Sequence, residues 1–256
     1  MKSSPLRQVV PELAKKRLDL LLVEKGLAPS RERAQGLILA GKVLINDEPQ
    51  TKPGHAFPET AHVRIRGGEE HPYVSRGGIK LEAALDAFNV NVKDKIALDV
   101  GASTGGFTHV LLLRGAQKVH AVDVGHSQMD WQIRSNPRVI VQEKLNARYL
   151  EFGQIGEKVD CIVVDVSFIS IEKILPSLVQ FSHSDTHWIV LIKPQFEVGK
   201  GKLGKGGIVT SELDRTKVVE KISQFAKTLG LTQLGLIESP IAGTEGNKEF
   251  LIHWKL

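Results

Sequence analysis

Strand and helix patterns alternate along the last two-thirds of the chain, and this alternation constrains the fold more than any other feature. Apolar runs such as KIALDVG, VHAVDVG, VDCIVVDVS and WIVLIK are separated by helical patterns such as GIKLEAALDAF and SELDRTKVVEKISQFAKTLG. Such a chain forms an α/β fold, with a mostly parallel sheet covered by helices on both faces. The closing patterns LTQLGLIESP and KEFLIHWKL have no helix between them, so we expect a final antiparallel strand.

A small α+β module precedes this sheet. RLDLLLVEKGL predicts one helix, and Ser30 is placed to cap a second helix over RERAQGLILAG. KVLIN and HVRIRG predict two strands, with a turn at DEPQ. The stretches PGHAFPET and HPYVSRGG are rich in Pro and Gly and mark a seam. We therefore predict a basic tail and small domain over residues 1–72, a linker over 73–77 and the α/β domain over 78–256.

The positive charge of the chain is unevenly distributed. The net charge is +5, and residues 1–80 hold 14 basic and 9 acidic side chains, whereas the remaining residues hold 20 of each. A basic module joined to a neutral one indicates a nucleic-acid-binding domain attached to a second activity. The alternative is a solvated lysine-rich face.

Other classes of protein find little support in the sequence. No apolar run reaches the roughly 20 residues of a membrane span, and the N-terminus lacks the apolar core of a signal peptide. The single cysteine, Cys161, excludes a disulfide framework and is expected in the core. His183 and His187 lack a third ligand, so no metal site is predicted. We expect a cytoplasmic protein, with no membrane contact and no obligate protein partner indicated.

A glycine-rich loop follows the first strand of the predicted sheet and opens a helix, where nucleotide-type ligands bind. It departs from the dinucleotide fingerprint because Ser103 stands where the second glycine would be. The candidate ligand-binding residues in DVGASTGGFT are Asp99, Gly101, Ala102, Ser103, Gly105 and Gly106. The alternative is a plain tight turn.

Two further positions strengthen the case for a ligand. Asp123 ends the second strand, 22 residues after Gly101, where an acid accepts hydrogen bonds from ribose hydroxyls. Asn146 follows the third strand, either beside an adenine or as a turn asparagine. A separate basic stretch, GKGKLGK, nearly matches the phosphate-binding loop motif. However, Gly206 occupies the position where that motif has Ser or Thr, and no strand leads into the stretch.

Charged residues stand at the expected ends of two strands. Lys193 ends WIVLIK, and Asp165 ends VDCIVVDVS. Lys80 lies in the first helix after the seam, and Glu249 opens the last strand. Taken singly, each of the four favours a salt bridge at the edge of the sheet.

In chain order, Lys80, Asp165, Lys193 and Glu249 resemble the Lys-Asp-Lys-Glu tetrad of ribose 2′-O-methyltransferases. The small module resembles an S4-type RNA-binding domain through Arg17-Leu18-Asp19, Ser30-Arg31, Ala34, Gly41, Lys42-Val43 and Ile45-Asn46. With SRGGIKL, GASTGGFT, DVSFIS and KPQFEVGK added, nearly the whole chain resembles the haemolysin-A (TlyA) family, which joins an S4-type domain to an FtsJ-like Rossmann methyltransferase domain.

The resemblance implies methylation of a ribose 2′-hydroxyl, with cytidine as the nucleoside, in ribosomal RNA or ribosomal subunits. S-adenosylmethionine is the implied cofactor, bound by the glycine loop, Asp123 and Asn146. Lys193 would be the base with Asp165 as its partner, while Lys80 and Glu249 position the ribose and balance charge. The implied phosphate-binding residues are Arg17, Arg31, Arg33 and Lys42.

Two other functions remain open from the sequence. One is a ribosome assembly factor that binds RNA without turnover, although all four tetrad positions are filled. The other is membrane lysis, as the family name suggests, although we find no basic amphipathic helix to support it.

Overall fold

The computed structural model describes residues 15–28, 30–46, 48–65, 71–199, 201–243 and 246–256. The chain divides into two compact units, residues 1–71 and 72–256. Among the described residues, no helix is both long and apolar enough to cross a membrane.

The first unit packs two helices against short strands. Its elements are β1 (Lys15–Arg17), α1 (Leu18–Glu24), α2 (Arg31–Leu39), β2 (Val43–Ile45), β3 (Glu48–Gln50), β4 (Ala56–Pro58) and β5 (Val63–Ile65). The strands form a three-stranded sheet, ordered β3-β2-β5, and a separate pair of β1 with β4. As the sequence predicted, the Ser30 side chain caps α2 by accepting from the N–H of Arg33.

One prediction for this unit is wrong. Residues 48–50, expected in a turn, form β3, which pairs antiparallel with β2 so that Glu48 faces Ile45. The chain reverses immediately after β2 because Asn46 takes a left-handed conformation, with φ of 49°, which asparagine tolerates better than most residues.

A buried carboxylate joins the helices of the first unit. The Asp19 side chain is fully buried, and its Oδ2 accepts from Nη2 of Arg17 and Nε of Arg31, each at 2.9 Å. Gln35 also donates to Oδ2, at 3.0 Å, and the N–H of Leu20 donates to Oδ1 at 3.0 Å. The hydrogen bonds from Arg17, together with those from Gln35 and Arg31, hold the pKa of Asp19 well below its usual range.

We expect the Asp19→Ala variant to lose about 2–3 kcal/mol of stability in the first unit, because two arginines and an amide are deprived of a buried acceptor. Native-state hydrogen exchange of α1 and α2 measures this loss. In the matched control Glu24→Ala, only an exposed pair with Lys16 is removed, so the change should stay below about 0.5 kcal/mol. Equal losses in both variants would contradict the role of Asp19.

The same hydrogen bonds give the unit a pH dependence. The folded state lowers the pKa of Asp19, so its contribution is complete above the unfolded pKa of about 3.9 and is lost as pH falls toward the folded value. Asp19→Asn, which does not titrate, should show less loss of stability between pH 5 and pH 2 than the wild type. Thermal unfolding followed across that pH range measures the difference.

The second unit is built on a seven-stranded sheet, ordered β11-β12-β10-β9-β6-β7-β8. Its strands are β6 (Ile96–Val100), β7 (Lys118–Val122), β8 (Val139–Gln142), β9 (Cys161–Val164), β10 (His187–Ile192), β11 (Thr232–Glu238) and β12 (Phe250–Lys255). Its α-helices are α3 (Gly77–Ala87), α4 (Gly106–Leu113), α5 (Trp131–Arg134), α6 (Phe152–Ile155), α7 (Leu175–Leu178), α8 (Pro194–Glu197) and α9 (Glu212–Thr228).

Strand direction brings several strand ends to one edge of this sheet. The five strands from β10 to β8 are parallel, whereas β12 runs antiparallel to both β10 and β11. This topology confirms the predicted α/β fold with its antiparallel final strand. Since Phe250, the first residue of β12, pairs with Ile192, the last of β10, the residues flanking this pair meet at the carboxyl edge of the parallel strands.

The pattern ISIEKILPSLVQF, expected to form one helix, is interrupted. It contains a 3₁₀ turn at Ile171–Lys173, the single turn α7, and a second 3₁₀ turn at Val179–Phe181. Pro176 in the first turn of α7 has no N–H to donate to the preceding turn, so a continuous helix cannot form through it.

Candidate active site at the carboxyl edge of the sheet

The four charged residues expected in the site form two lysine–carboxylate pairs. Lys193 follows β10 and Asp165 follows the neighbouring parallel strand β9, and their Nζ and Oδ1 atoms lie 2.5 Å apart. Lys80, on α3, places its Nζ 2.5 Å from Oε2 of Glu249, which precedes β12. Both pairs belong to the same sheet edge because parallel strands end there and β12 begins there.

The two pairs differ in their surroundings. The side chains of Lys80 and Glu249 are only 10% and 2% exposed, so that pair is almost dry. Lys193 and Asp165 are more accessible, at 12% and 20%. A buried ion pair is weak evidence for stability, because removing two charges from water costs about as much as their attraction returns. The arrangement therefore suits positioning and proton handling at the sheet edge better than it suits stabilising the fold.

Three residues that sequence reasoning missed complete this cluster. Ser167 accepts from Nζ of Lys193 at 2.9 Å, and Nε2 of Gln195 lies 3.4 Å from Oε1 of Glu249. A Cβ on Gly243 would stand 2.0 Å from Oε1 of Glu249, so any side chain at this position would displace that carboxylate. Ser167 and Gln195 each lie two residues beyond a predicted site residue, and this spacing in the sequence could have identified them as neighbours of the site.

The glycine loop connects β6 to α4 and passes directly behind Asp165. A Cβ on Gly101 would lie 2.3 Å from the backbone oxygen of Asp165, and its φ is 85°, so this position requires glycine on two grounds. Ser103, which stands where a second glycine is typical, also adopts a left-handed conformation, with φ of 48°. Ser103 thus adopts a backbone conformation that glycine adopts readily.

Asp123 fixes the loop from the neighbouring strand. Its Oδ2 accepts from the N–H of Ser103 at 2.8 Å and its Oδ1 accepts from the N–H of Gly125 at 2.6 Å. The carboxylate is half-buried at the end of β7, and each oxygen keeps a second lone pair for another donor.

These residues line an open groove of about 460 Å³, within the range of small-molecule sites. Of the predicted ligand-binding residues, the groove is lined by Gly101, Ser103, Asp123 and Asn146. It also reaches Asp165 and the segment that follows it. Asn146 caps a 3₁₀ turn by accepting from the N–H of Arg148, so it is a turn asparagine that also borders the groove.

The other predicted ligand-binding residues lie behind the groove lining. Ala102, Gly105 and Gly106 are buried, and a Cβ on Gly106 would meet Oγ of Ser75 at 2.2 Å, so this glycine serves close packing beside α3. Asp99 is fully buried and accepts from Oγ1 of Thr108 at 2.6 Å, which ties β6 to α4. Burial, with the charges of Asp165 and Asp123 adding to it, raises the pKa of Asp99 to about 7.

In the first unit, the four basic candidates fall into two classes. Arg17 and Arg31 share the buried Asp19 carboxylate, and their side chains are about half exposed. Arg33 and Lys42 complete the set, and both are exposed. Asp19 therefore orients two of the four cations.

The remaining polar candidates are structural. Cys161 is buried in β9, and burial raises the pKa of its thiol to about 12, so it is unreactive. His183 lies 3.4 Å from Asp160, and Nδ1 of His187 lies 2.9 Å from Nε2 of His253. Within the described ranges, no group of three or more His, Cys, Asp or Glu side chains could hold a metal ion. The stretch from Gly199 follows the helix α8 and not a strand, unlike a phosphate-binding loop.

Comparisons with known proteins agree with this architecture. The FtsJ-like methyltransferase family matches residues 73–256, and the S4 domain family matches residues 16–60. The 16S/23S rRNA (cytidine-2′-O)-methyltransferase TlyA of Mycobacterium tuberculosis is 46% identical over 92% of this chain and 88% of its own. Hemolysin A of Brachyspira hyodysenteriae is 39% identical over 93% of this chain and 99% of its own.

A solved structure gives the same result in three dimensions. A hemolysin-type protein from Streptococcus thermophilus is 42% identical, with a TM-score of 0.73 over 95% of this chain and 89% of its own. The family matches together cover both units, and the relatives span both as well. The chain therefore belongs to the FtsJ-like methyltransferases and, among them, to the TlyA family, which places an S4 domain before the methyltransferase domain.

Proposed function

We propose that this protein transfers a methyl group from S-adenosylmethionine to the 2′-hydroxyl of a cytidine ribose in ribosomal RNA. One observation carries the proposal: Asp165 both borders the ligand groove and pairs with Lys193, so a ligand in the groove would lie beside the lysine–carboxylate cluster. The choice of cytidine in ribosomal RNA rests on the name of the M. tuberculosis relative. Cytoplasmic location is part of the same proposal.

The groove fits the proposed cofactor. Gly101 has no side chain to obstruct a ligand, and Asp123 offers carboxylate oxygens to ribose hydroxyls while the N–H groups of Ser103 and Gly125 hold it in place. Asn146 stands at the border of the groove, where an adenine would lie. When bound, S-adenosylmethionine supplies an electrophilic methyl group on a positively charged sulfur.

Lys193 and Asp165 handle the proton in the proposed reaction. A ribose hydroxyl becomes a sufficient nucleophile only as its proton leaves, and a base within hydrogen-bond reach accelerates this step. In the proposed step the Nζ nitrogen of Lys193, in its amine form, accepts the proton of the hydroxyl as the oxygen bonds to the methyl group. Asp165, 2.5 Å away, balances the ammonium charge that results, and Ser167 keeps Nζ oriented.

Lys80 and Glu249 have a positioning role in this scheme. Their buried ion pair places two charges in fixed positions at the same sheet edge. Gln195 connects Glu249 to the segment that carries Lys193. Such fixed groups lower the cost of orienting a substrate.

The first unit supplies the RNA contacts in this proposal. Arg17, Arg31, Arg33 and Lys42 bind phosphates and thereby position the RNA without reading its sequence.

The function itself is tested by mapping 2′-O-methylation in ribosomal RNA from cells with and without this protein, and by tritium transfer from labelled S-adenosylmethionine to purified ribosomal subunits. Methylated cytidines that depend on the protein support the proposal. Binding without tritium transfer would identify an assembly factor, and leakage of lipid vesicles with no transfer would identify a lytic protein.

Replacing Lys193 with alanine should lower methyl transfer by about 10²–10⁴-fold, because the proton acceptor is removed. Calorimetry should show cofactor affinity within about twofold of the wild type, since Lys193 is not among the residues that line the groove. Lys227→Ala, at the end of α9, is the matched control and should retain full activity. Substantial turnover by Lys193→Ala would exclude this residue as the base.

The Asp123→Ala variant should bind S-adenosylmethionine more weakly by about 1.5–3 kcal/mol, because a charged acceptor for the ribose hydroxyls is removed. Asp185→Ala, which removes an exposed carboxylate paired with Lys255, serves as the control. Isothermal titration calorimetry measures both. Unchanged affinity in Asp123→Ala would mean that the cofactor ribose binds elsewhere.

RNA affinity should depend on salt through the first unit. Arg31→Ala combined with Arg33→Ala is expected to flatten the slope of log affinity against log salt by roughly 1 for each phosphate that the variant no longer binds. Because Arg31 also pairs with Asp19, Arg33→Ala alone separates an RNA effect from a stability effect. The control pair Lys158→Ala and Lys227→Ala removes the same charge from the second unit. An equal change in the control would mean that phosphate binding is not localised in the first unit.

A further inference from the structure

Two chain segments of the second unit lie side by side and touch at several points. Residues 165–171 follow β9, residues 193–197 follow β10, and the two strands are parallel neighbours. Lys193 joins the near ends of the segments through Asp165 and Ser167, and the rings of Phe168 and Phe196 lie 5.0 Å apart. The far ends are joined by Glu197.

Glu197 joins the far ends of the two segments through two hydrogen bonds. Its Oε2 accepts from Oγ of Ser170 at 2.7 Å and its Oε1 accepts from the N–H of Ile171 at 2.8 Å. Burial raises the pKa of this carboxyl, so holding it there has a desolvation cost that only specific partners offset. Both of these Glu197 hydrogen bonds go to the 165–171 segment. The carboxylate of Glu172, just beyond that segment, pairs instead with Lys221, at 2.6 Å.

The segment held by Glu197 contains a strained residue. Phe168 adopts a left-handed conformation, with φ of 64°, although its side chain is bulky and 89% exposed. Such backbone strain costs on the order of 1–3 kcal/mol and persists only when surrounding groups maintain it. Val166 and Ile169 pack against the core and the Phe168 ring contacts Phe196, whereas the polar contacts of the segment lie at its ends, at Asp165 and at the Ser170–Ile171 pair.

We propose that Glu197 is a positioning residue for methyl transfer, which holds the 165–171 segment so that Asp165 and Ser167 stay in register with Lys193. The inference rests on the proposed function for the reaction, but its structural part does not. Without Glu197 the far end of the segment keeps the apolar packing of Ile171 but loses both hydrogen bonds, the strain at Phe168 relaxes, and Asp165 and Ser167 shift relative to Nζ of Lys193. Displacements of about 1 Å in such a group are enough to lower a rate 10²-fold.

The structural part is tested on the full-length protein without ligands, by amide hydrogen exchange of residues 165–171. In Glu197→Ala we expect exchange of the Ile171 amide to accelerate by roughly tenfold or more, because its acceptor is removed. Glu197→Gln keeps an oxygen for Ile171 and an amide that can donate to Ser170, so its exchange should stay close to wild type. Glu172→Ala, which removes the carboxylate that pairs with Lys221, is the matched control.

The catalytic part is tested by separating kcat from KM with ribosomal subunits as substrate. For Glu197→Ala we expect kcat to fall by roughly 10- to 100-fold, with KM for ribosomal subunits within about twofold. The Kd of S-adenosylhomocysteine should rise by a smaller factor than kcat falls, because the same segment borders the cofactor groove. Glu197→Gln should recover most of kcat. Ser170→Ala removes one of the two hydrogen bonds of Glu197, together with the longer one that Ser170 accepts from the N–H of Glu172 at 3.3 Å. It should give a smaller fall in the same direction, which keeps the test usable if Glu197→Ala folds poorly.

Three results would overturn the inference: wild-type kcat in Glu197→Ala, an equal fall in Glu172→Ala, or a Glu197→Gln variant as slow as Glu197→Ala. Failure of the proposed function gives a different result. In that case the wild-type protein transfers no methyl group, while the exchange of the Ile171 amide still reports whether Glu197 holds the segment.

Discussion

The antiparallel pairing of β12 with β10 determines what can meet at the site. Parallel strands alone bring Asp165 and Lys193 to one edge, because β9 and β10 end side by side. The second carboxylate requires a strand that begins at that edge, and the register that places Phe250 opposite Ile192 delivers Glu249 there. A shift of one residue in this pairing would move Glu249 away from Lys80 and reverse the faces of β12. The buried side chains of Ile252 and Trp254 stabilise the register, so the hydrophobic core specifies the position of a charged residue.

Close packing and charge are coupled throughout this edge. Gly101 allows the loop to touch the backbone of Asp165, and Gly243 allows another segment to touch the carboxylate of Glu249. Both acidic residues are thus confined by main chain on one side and by a lysine on the other. Confinement of this kind restricts the conformations that a charged side chain would sample in water. The packing of the loops provides this confinement.

Much of this arrangement could be predicted from the sequence, and the remainder has identifiable physical reasons for escaping prediction. Strand-and-helix alternation predicted the sheet, and the ends of apolar runs located Asp165 and Lys193. Hydrogen bonds that depend on how two loops lie side by side were missed, including those of Ser167, Gln195 and Glu197. The prediction of a turn at residues 48–50 was wrong because it rested on local polarity. These residues form a strand through their pairing with β2. Asp99 belongs to the glycine-loop motif, yet the structure places its side chain behind the loop, on Thr108.

Carboxylates orient cations in both units, and this limits what net charge can explain. Asp19 pairs with two arginines of the basic unit, so part of the excess positive charge is already balanced where the guanidinium groups emerge. Orientation remains after the charge is balanced: a guanidinium fixed by a buried carboxylate presents its free N–H groups in one direction, which suits phosphate recognition better than a mobile lysine does. In the second unit, Asp165 and Glu249 do the same for ammonium groups in a unit with little net charge. In both units the carboxylate therefore acts by setting the direction of a cation, and a count of charges along the sequence cannot reveal that geometry.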